Sequence, residues 1–194
     1  MLRFLEHCRY LERRTGGPRG ADLYTLTPAF LVAWDRHMVV ALEAASLIAP
    51  DIRPLLDPGS LAPRQTYGRI HADGILAARQ GKQVVIAFLR VFMHPFGGSH
   101  IVCTLITRGT GFPPHRTGPV SIAGLARTSG ASRAQVARIF HQAADEGLAD
   151  LALDGIVTFH RAAREELGFF YAIQLVQILA AAARAARLHD LHET

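Results

Sequence analysis

The chain has 194 residues, of which 49% are hydrophobic, and a formal net charge of +5. This length allows one ample core or two small ones, and the modest glycine and proline content excludes a largely disordered protein. Cys8 and Cys103 are too few and too far apart for a disulfide framework. The first residues lack the apolar core of a signal peptide, so we expect a cytoplasmic protein.

The N-terminal part of the chain predicts two helices. A short amphipathic helix is expected from about Leu2 to Arg14, where a glycine- and proline-rich breaker follows. Thr27 and Pro28 have the residue types of an N-cap and a first helical position. The helix that they begin should end before Pro50.

The middle of the chain predicts further helices separated by loops. Four prolines between residues 50 and 63 indicate a loop, and a helix is expected over about 64–78. The apolar run 84–93 fits a helix or a buried strand, and we favour the helix. Ser99 is expected to cap another helix that runs through Leu105, and residues 109–114 should form a linker.

Residues 122–141 have the pattern of a helix-turn-helix. Ala126 is the small residue where two helices would cross, and Gly130 can adopt the left-handed conformation of the turn. Ser121 and Ser132 are expected to cap the two helices, the first over residues 122–128 and the second to about residue 146. The apolar inner face is formed by Leu125, Val136 and Ile139.

A hairpin and a long apolar helix should follow. Residues 148–153 and 156–160 predict two short strands around a two-residue turn, Asp154-Gly155, and a hairpin directly after a helix-turn-helix is a wing. The run from Leu167 to Ala183 has no charge but is shorter than a membrane span. We therefore expect no membrane partner and expect this helix to be buried against a second copy of the chain.

The order helix, helix-turn-helix, wing and long apolar helix resembles that of winged helix-turn-helix transcriptional regulators. The helical extensions at both ends resemble the MarR family of dimeric bacterial regulators. The resemblance covers residues 99–161 and implies a mainly α fold with a small two-stranded β wing, flanked by long dimerisation helices. MarR-type wings are usually longer and carry arginine, whereas the turn here has none at its tip.

The resemblance also implies an organisation into three regions. Residues 1–110 would form a helical dimerisation region, residues 111–161 the DNA-binding region, and residues 162–194 a C-terminal dimerisation helix. A small-molecule effector is a further partner of such regulators. Aromatic residues that would line its site, or simply belong to the core, are Trp34, Phe88, Phe92, Phe96, Phe169, Phe170 and Tyr171.

The distribution of charge favours nucleic acid. No acidic residue occurs between Asp73 and Asp145, while this stretch contains one lysine and seven arginines. Such a concentration of positive charge around a helix-turn-helix is typical of a surface for double-stranded DNA. The alternative is that arginine-rich composition alone produces it.

The second helix presents the candidate base-reading face. Its alanines allow close approach to the major groove, while long polar side chains reach base edges or phosphates. The end of the first helix and the segment before it would meet the DNA backbone. The predicted DNA-binding residues are Arg116, Arg127, Thr128, Ser132, Arg133, Gln135, Arg138 and His141.

Other functions find less support in the sequence. His94, His100 and Cys103 lie close together but lack a second ligand pair, so we expect no metal, and Cys103 in its apolar run should be buried. No phosphate-binding loop, nucleophile elbow or carboxylate pair is present, so we expect neither an enzyme nor a cofactor. The sequence predicts a homodimeric DNA-binding transcriptional regulator, with a winged-helix protein adaptor as the alternative.

Overall fold

The structure is a computed structural model that describes residues 5–6, 9–14, 22–80 and 86–191. In this part of the chain it is mainly helical, with two two-stranded antiparallel sheets. The chain divides into two compact units. Unit 1 comprises Met1–Arg79 and Leu175–Thr194, and unit 2 comprises Gln80–Gln174.

Unit 1 begins with a hairpin and continues with helices. Strand β1 (Leu11–Arg14) pairs with β2 (Leu23–Leu26), and helix α1 (Pro28–Ser46) follows. A 3₁₀ helix (Pro50–Leu56) and helix α2 (Leu61–Gln80) complete the first part of the unit. Its core contains Met38, Leu42, Ile52, Leu55, Tyr67 and three alanines of the C-terminal helix, Ala181, Ala182 and Ala185.

The start of α1 confirms the predicted cap. The Thr27 hydroxyl accepts a hydrogen bond from Phe30 N, and Pro28 occupies the first turn, where a missing N–H removes no helical bond. The third expected helix is also present, although it begins earlier, at Leu61. The expected loop over residues 50–63 instead contains the 3₁₀ helix.

The predicted helix from Leu2 to Arg14 is wrong over residues 9–14. Residues 5 and 6 are helical, but Arg9 has a left-handed backbone (φ 57°), and β1 then pairs with β2. Thr27 joins this hairpin by donating its amide to Tyr10 O and its hydroxyl to Arg9 O. A distant partner strand therefore outweighs the local helical pattern. Residues 1–4 and 7–8 lie outside the described residues.

Unit 2 contains the predicted helix-turn-helix and hairpin. A short helical segment includes the π-helix Leu89–Met93 and leads to α3 (Gly98–Thr107). Helices α4 (Ile122–Ser129) and α5 (Arg133–Asp145) follow, then strands β3 (Ala149–Leu151) and β4 (Val157–Phe159). Helix α6 (Arg161–Leu188) begins in this unit and ends in unit 1.

The apolar run at 84–93 is helical from residue 87, as favoured from the sequence. Residue 86 is not helical, and residues 81–85 lie outside the described part. Ser99 does not cap α3. The helix begins one residue earlier, at Gly98, whose amide donates to Pro95 O, and Gly97 occupies the N-cap position without a side-chain bond. The turn before the helix thus sets its start.

The unit boundaries differ from the expected regions, which placed residues 86–107 with a dimerisation region. Phe88, Phe92 and Ile101 are fully buried in one core with Val136 and Phe159 of the helix-turn-helix and hairpin. The first helices of this unit are therefore part of its core. The carboxylate of Glu166 also ties Phe88 to this unit, because it accepts a hydrogen bond from the Phe88 amide at 2.7 Å.

Helix α6 has 28 residues, longer than the uncharged run read from the sequence. It is the one helix in the described part of the chain that is long and apolar enough to cross a membrane, so the argument from length does not hold. One such helix is only a weak indication of a membrane, because core and interface helices share this composition. Only 17% of its most apolar window is buried within the protein.

Candidate functional site

Three residues that the sequence singled out define the ends of α4 and the start of α5. Ser121 Oγ accepts a hydrogen bond from Gly124 N at the start of α4, and Ser132 Oγ accepts one from Gln135 N at the start of α5. Gly130 ends α4 in the left-handed conformation (φ 69°), which a side chain would strain. These local interactions fix the direction in which α5 leaves the turn.

Burial orients α5 about its axis. Val136, Ile139, Phe140 and Ala143 are buried in the core of unit 2. Since successive residues are about 100° apart, the opposite face is centred on Arg138, with Ala134 and His141 beside it. All three are exposed. On this face the side chains of Arg138 and His141 therefore project beyond the short side chain of Ala134.

The eight predicted site residues lie in unit 2 on four consecutive segments. Arg116 precedes α4, Arg127 and Thr128 lie in its last turn, Ser132 caps α5, and the others lie on α5. Gln135 is half-buried. The exposed members are Arg116, Arg127, Thr128, Ser132, Arg133, Arg138 and His141.

Two hydroxyls of this set differ in what they can donate. The Thr128 hydroxyl donates within its own helix, to Gly124 O or Leu125 O, each at 3.2 Å. Its proton is therefore already engaged. Ser132 Oγ acts as an acceptor at the helix cap, so its proton is available to an external acceptor, such as a phosphate oxygen.

Five arginines of unit 2 have no acidic partner among the residues that the structure describes. In the part of unit 2 that the structure describes, Arg108, Arg116, Arg127, Arg133 and Arg138 form no ion pair. Unpaired guanidinium groups on one segment of chain leave a positive potential that attracts anions.

Three acids of the same unit have basic partners outside this group of arginines. Glu146 binds Arg90 at 2.6 Å, Asp150 contacts His160 at 2.8 Å, and Glu165 binds Arg161 at 2.7 Å. Asp145, in the last turn of α5, is the acid that shares the exposed face with Arg138. The positive surface therefore extends from the N-terminal part of α5 toward α4.

A third segment of chain, at residues 115–117, pairs irregularly with strand β4 of the hairpin. Thr117 N donates to Val157 O, Phe159 N donates to His115 O, and Arg116 forms an isolated bridge with Thr158. At the tip, Val120 N donates to Gly155 O at 2.9 Å. The segment before α4 thus runs along β4, which fixes the backbone of Arg116.

The prediction of a two-residue loop in the hairpin is wrong, because the loop has three residues. The register pairs Leu151 with Val157, and Ala152 N donates to Ile156 O, which leaves three residues in the loop, Leu153, Asp154 and Gly155. Gly155 has a φ of 83°, as expected for a three-residue hairpin loop closed by a left-handed residue. Leu153 at the tip is fully exposed.

A groove beside this surface contains an arginine that sequence reasoning missed. Arg108, at the end of α3, lines a groove of about 400 Å³ together with Ser121, Arg127 and Thr128 of α4. Arg108 belongs to the acid-free stretch, but no local motif marks it as a site residue. Its position beside α4 depends on how α3 packs, which no local pattern reveals.

His94, His100 and Cys103 are the residues considered for a metal site. In the described ranges, no group of three or more His, Cys, Asp or Glu is placed to hold a metal. Cys103 is exposed, not buried as expected, because it lies on the outer side of α3. The pKa of Tyr171 is raised, mainly by burial of its side chain and to a smaller extent by the nearby Cys103.

The aromatic residues proposed for an effector site have several locations. Phe88 and Phe92 are core residues of unit 2, and Phe96 and Phe169 are exposed. Phe170 and Tyr171 are half-buried. Trp34 lines a separate groove of about 470 Å³ within unit 1, where it stacks on Phe30 with ring centroids 6.1 Å apart.

No protein-family model, curated protein or solved structure matches this chain.

Proposed function

We propose that the protein is a homodimeric, sequence-specific DNA-binding regulator of the winged helix-turn-helix type, similar in architecture to the MarR family. The observation that carries the proposal is the exposed face of α5 around Arg138, next to arginines that form no ion pair among the described residues. DNA-binding surfaces are rich in such cations because phosphate neutralisation supplies much of the affinity.

The order of elements in unit 2 supports the winged-helix assignment. Helix α3 is followed by the edge segment at residues 116–117, then by α4, α5 and the hairpin. In this proposal α5 is the recognition helix and enters the major groove, while α4 crosses the backbone. Arg133, Gln135 and Arg138 are the candidates for contacts with base edges.

Exposed apolar residues support the dimer. On α6, Phe169 and Val176 are 57% and 65% exposed, and Ile173 between them is also exposed. On α1, Val32 and Val40 are 71% and 58% exposed. Large apolar side chains in such numbers are typical of a surface that another chain covers. A dimer would place two recognition helices about one duplex turn apart and read a pseudo-palindromic site.

The groove of unit 1 is the proposed effector site. Its volume of about 470 Å³ is in the range of small-molecule sites, and its lining is mostly apolar, with Phe30, Trp34 and Met38. Ligand binding there would be detected as a rise in thermal stability and a change in the fluorescence of Trp34, the single tryptophan.

The test is binding of the purified protein to a labelled pool of random duplexes at about 50 and 200 mM salt, followed by selection of tightly bound sequences. With about six phosphate contacts per dimer, affinity should fall about 10³-fold between these salt concentrations. Selection should enrich a palindrome. Absence of binding at the lower salt, with and without candidate effectors, would refute the proposal.

The fully exposed Leu153 favours a second candidate, a winged-helix adaptor that binds protein. The wing tip offers this apolar side chain and Asp154 but no arginine, which suits a protein surface better than the DNA minor groove. The adaptor predicts that Leu153→Ser abolishes capture of a partner, while DNA binding is absent in the wild type. The regulator predicts DNA binding that Leu153→Ser leaves unchanged.

A further inference from the structure

We propose that the groove lined by Arg108, Ser121 and Arg127 seats one backbone phosphate of duplex DNA. The inference rests on the proposed function and adds a defined anchoring point to it. The groove lies between the end of α3 and the helix α4, and its volume is about 400 Å³. No acidic residue is among its lining residues.

Arg108 is held in position before any ligand binds. Its carbonyl accepts the Gly118 amide at 2.6 Å, and its guanidinium donates to Pro119 O at 3.0 Å. A guanidinium has five N–H donors, so further donors remain for an anion. Because the side chain is already restrained, less conformational entropy is lost when an anion binds.

A second cation, Arg127, and a hydroxyl, that of Ser121, also line the groove. Arg127 is exposed and forms no ion pair with any residue that the structure describes. Ser121 Oγ accepts the Gly124 amide at 3.0 Å, so its own proton is available to a phosphate oxygen. Two guanidinium groups and one hydroxyl match the acceptor oxygens of a phosphate.

The position of the groove favours a DNA phosphate over an acidic peptide. Arg127 lies in the last turn of α4, and α5 begins six residues later, at Arg133. In helix-turn-helix docking, the helix before the recognition helix crosses the sugar–phosphate backbone. A phosphate in the groove would therefore fix the depth and register of α5 in the major groove, without reading any base.

The experiment compares Arg108→Ala, Arg127→Ala and the double variant with wild type on a selected duplex and on a random duplex, from about 50 to 200 mM salt. Each single variant should bind both duplexes about tenfold more weakly at the lower salt. The slope of log affinity against log salt should fall by about 0.9 per bound protomer. The matched control is Arg53→Ala, which removes an exposed arginine from unit 1 and should leave the slope unchanged.

The double variant tests whether both arginines hold the same phosphate. A shared phosphate predicts that its slope falls by about 0.9 per protomer in total, whereas two separate phosphates would give about twice that change and overturn the single-site proposal. If Arg108→Ala unfolds because its bond to Pro119 O is lost, Arg127→Ala still decides the matter. Wild-type binding with unchanged slopes in both single variants would refute the groove but not the regulator; no wild-type binding would refute the regulator itself.

Discussion

Replacing Gly155 by alanine should destabilise unit 2 more than an ordinary left-handed glycine substitution does. The residue has a φ of 83°, and a Cβ there would overlap the Val120 carbonyl oxygen and lie 3.2 Å from Val120 N. The left-handed conformation alone costs alanine about 1 to 2 kcal/mol. Displacement of the tip would also break the bond from Val120 N to Gly155 O, worth about 1 kcal/mol.

The matched control is Gly147→Ala. Gly147 also has a positive φ, 62°, but nothing lies within 4 Å of the position of its Cβ. We therefore expect a loss of about 1 to 2 kcal/mol for the control and of about 2 to 3 kcal/mol for Gly155→Ala. Urea unfolding followed by far-UV circular dichroism measures both. Equal losses would refute the packing of the hairpin tip against the segment before α4.

Three further predictions concern recognition, packing and pH. Arg138→Ala should weaken binding to the selected duplex by about 1–3 kcal/mol and leave random duplex nearly unchanged if it reads a base, whereas equal weakening of both in the same titrations would assign it to phosphate. Phe92→Ala should lower the free energy of unfolding by about 3 to 5 kcal/mol in urea, because the ring is fully buried against Phe88 and Phe159; a loss below 1 kcal/mol would contradict this core. Burial and, second, the charge of His37 lower the pKa of His71, so the unfolded state binds this proton at a higher pH than the folded state does, and stability should fall as the pH drops below about 6.5. The free energy of unfolding should therefore differ less between pH 7.5 and pH 5.5 in His71→Asn than in the wild type. An equal difference in the two proteins would refute this.

The helix-turn-helix region could be predicted because its signals are local. Ser121 and Ser132 cap helices within three residues, and Gly130 meets a backbone requirement at its own position. The spacing of Val136 and Ile139 defines the buried face of α5 without knowledge of what covers it. The candidate α5 residues on the opposite face follow from the same periodicity.

Features that depend on distant partners could not be predicted in this way. Leu11 forms a strand because Leu26 lies opposite it, and only the folded chain brings the two together. The grouping of Phe88 with the core of α5 likewise depends on tertiary packing. Arg108 joins the groove with Arg127 only after α3 and α4 have packed. In each case the sequence contains both residues but does not show that they become neighbours.

The positive surface of unit 2 arises from placement more than from the total charge. The formal net charge of the whole chain is only +5. In unit 2, Glu146 and Glu165 pair with Arg90 and Arg161, and Glu166 accepts a hydrogen bond from a backbone amide. Glu146 at the end of α5 is thereby neutralised, and Asp145 beside it is the exposed acid of this helix. Under the proposed function, the groove of Arg108 and Arg127 would then govern affinity and its salt dependence, whereas Arg138 would govern discrimination between sequences. Substitutions at the two places should therefore change different measured quantities.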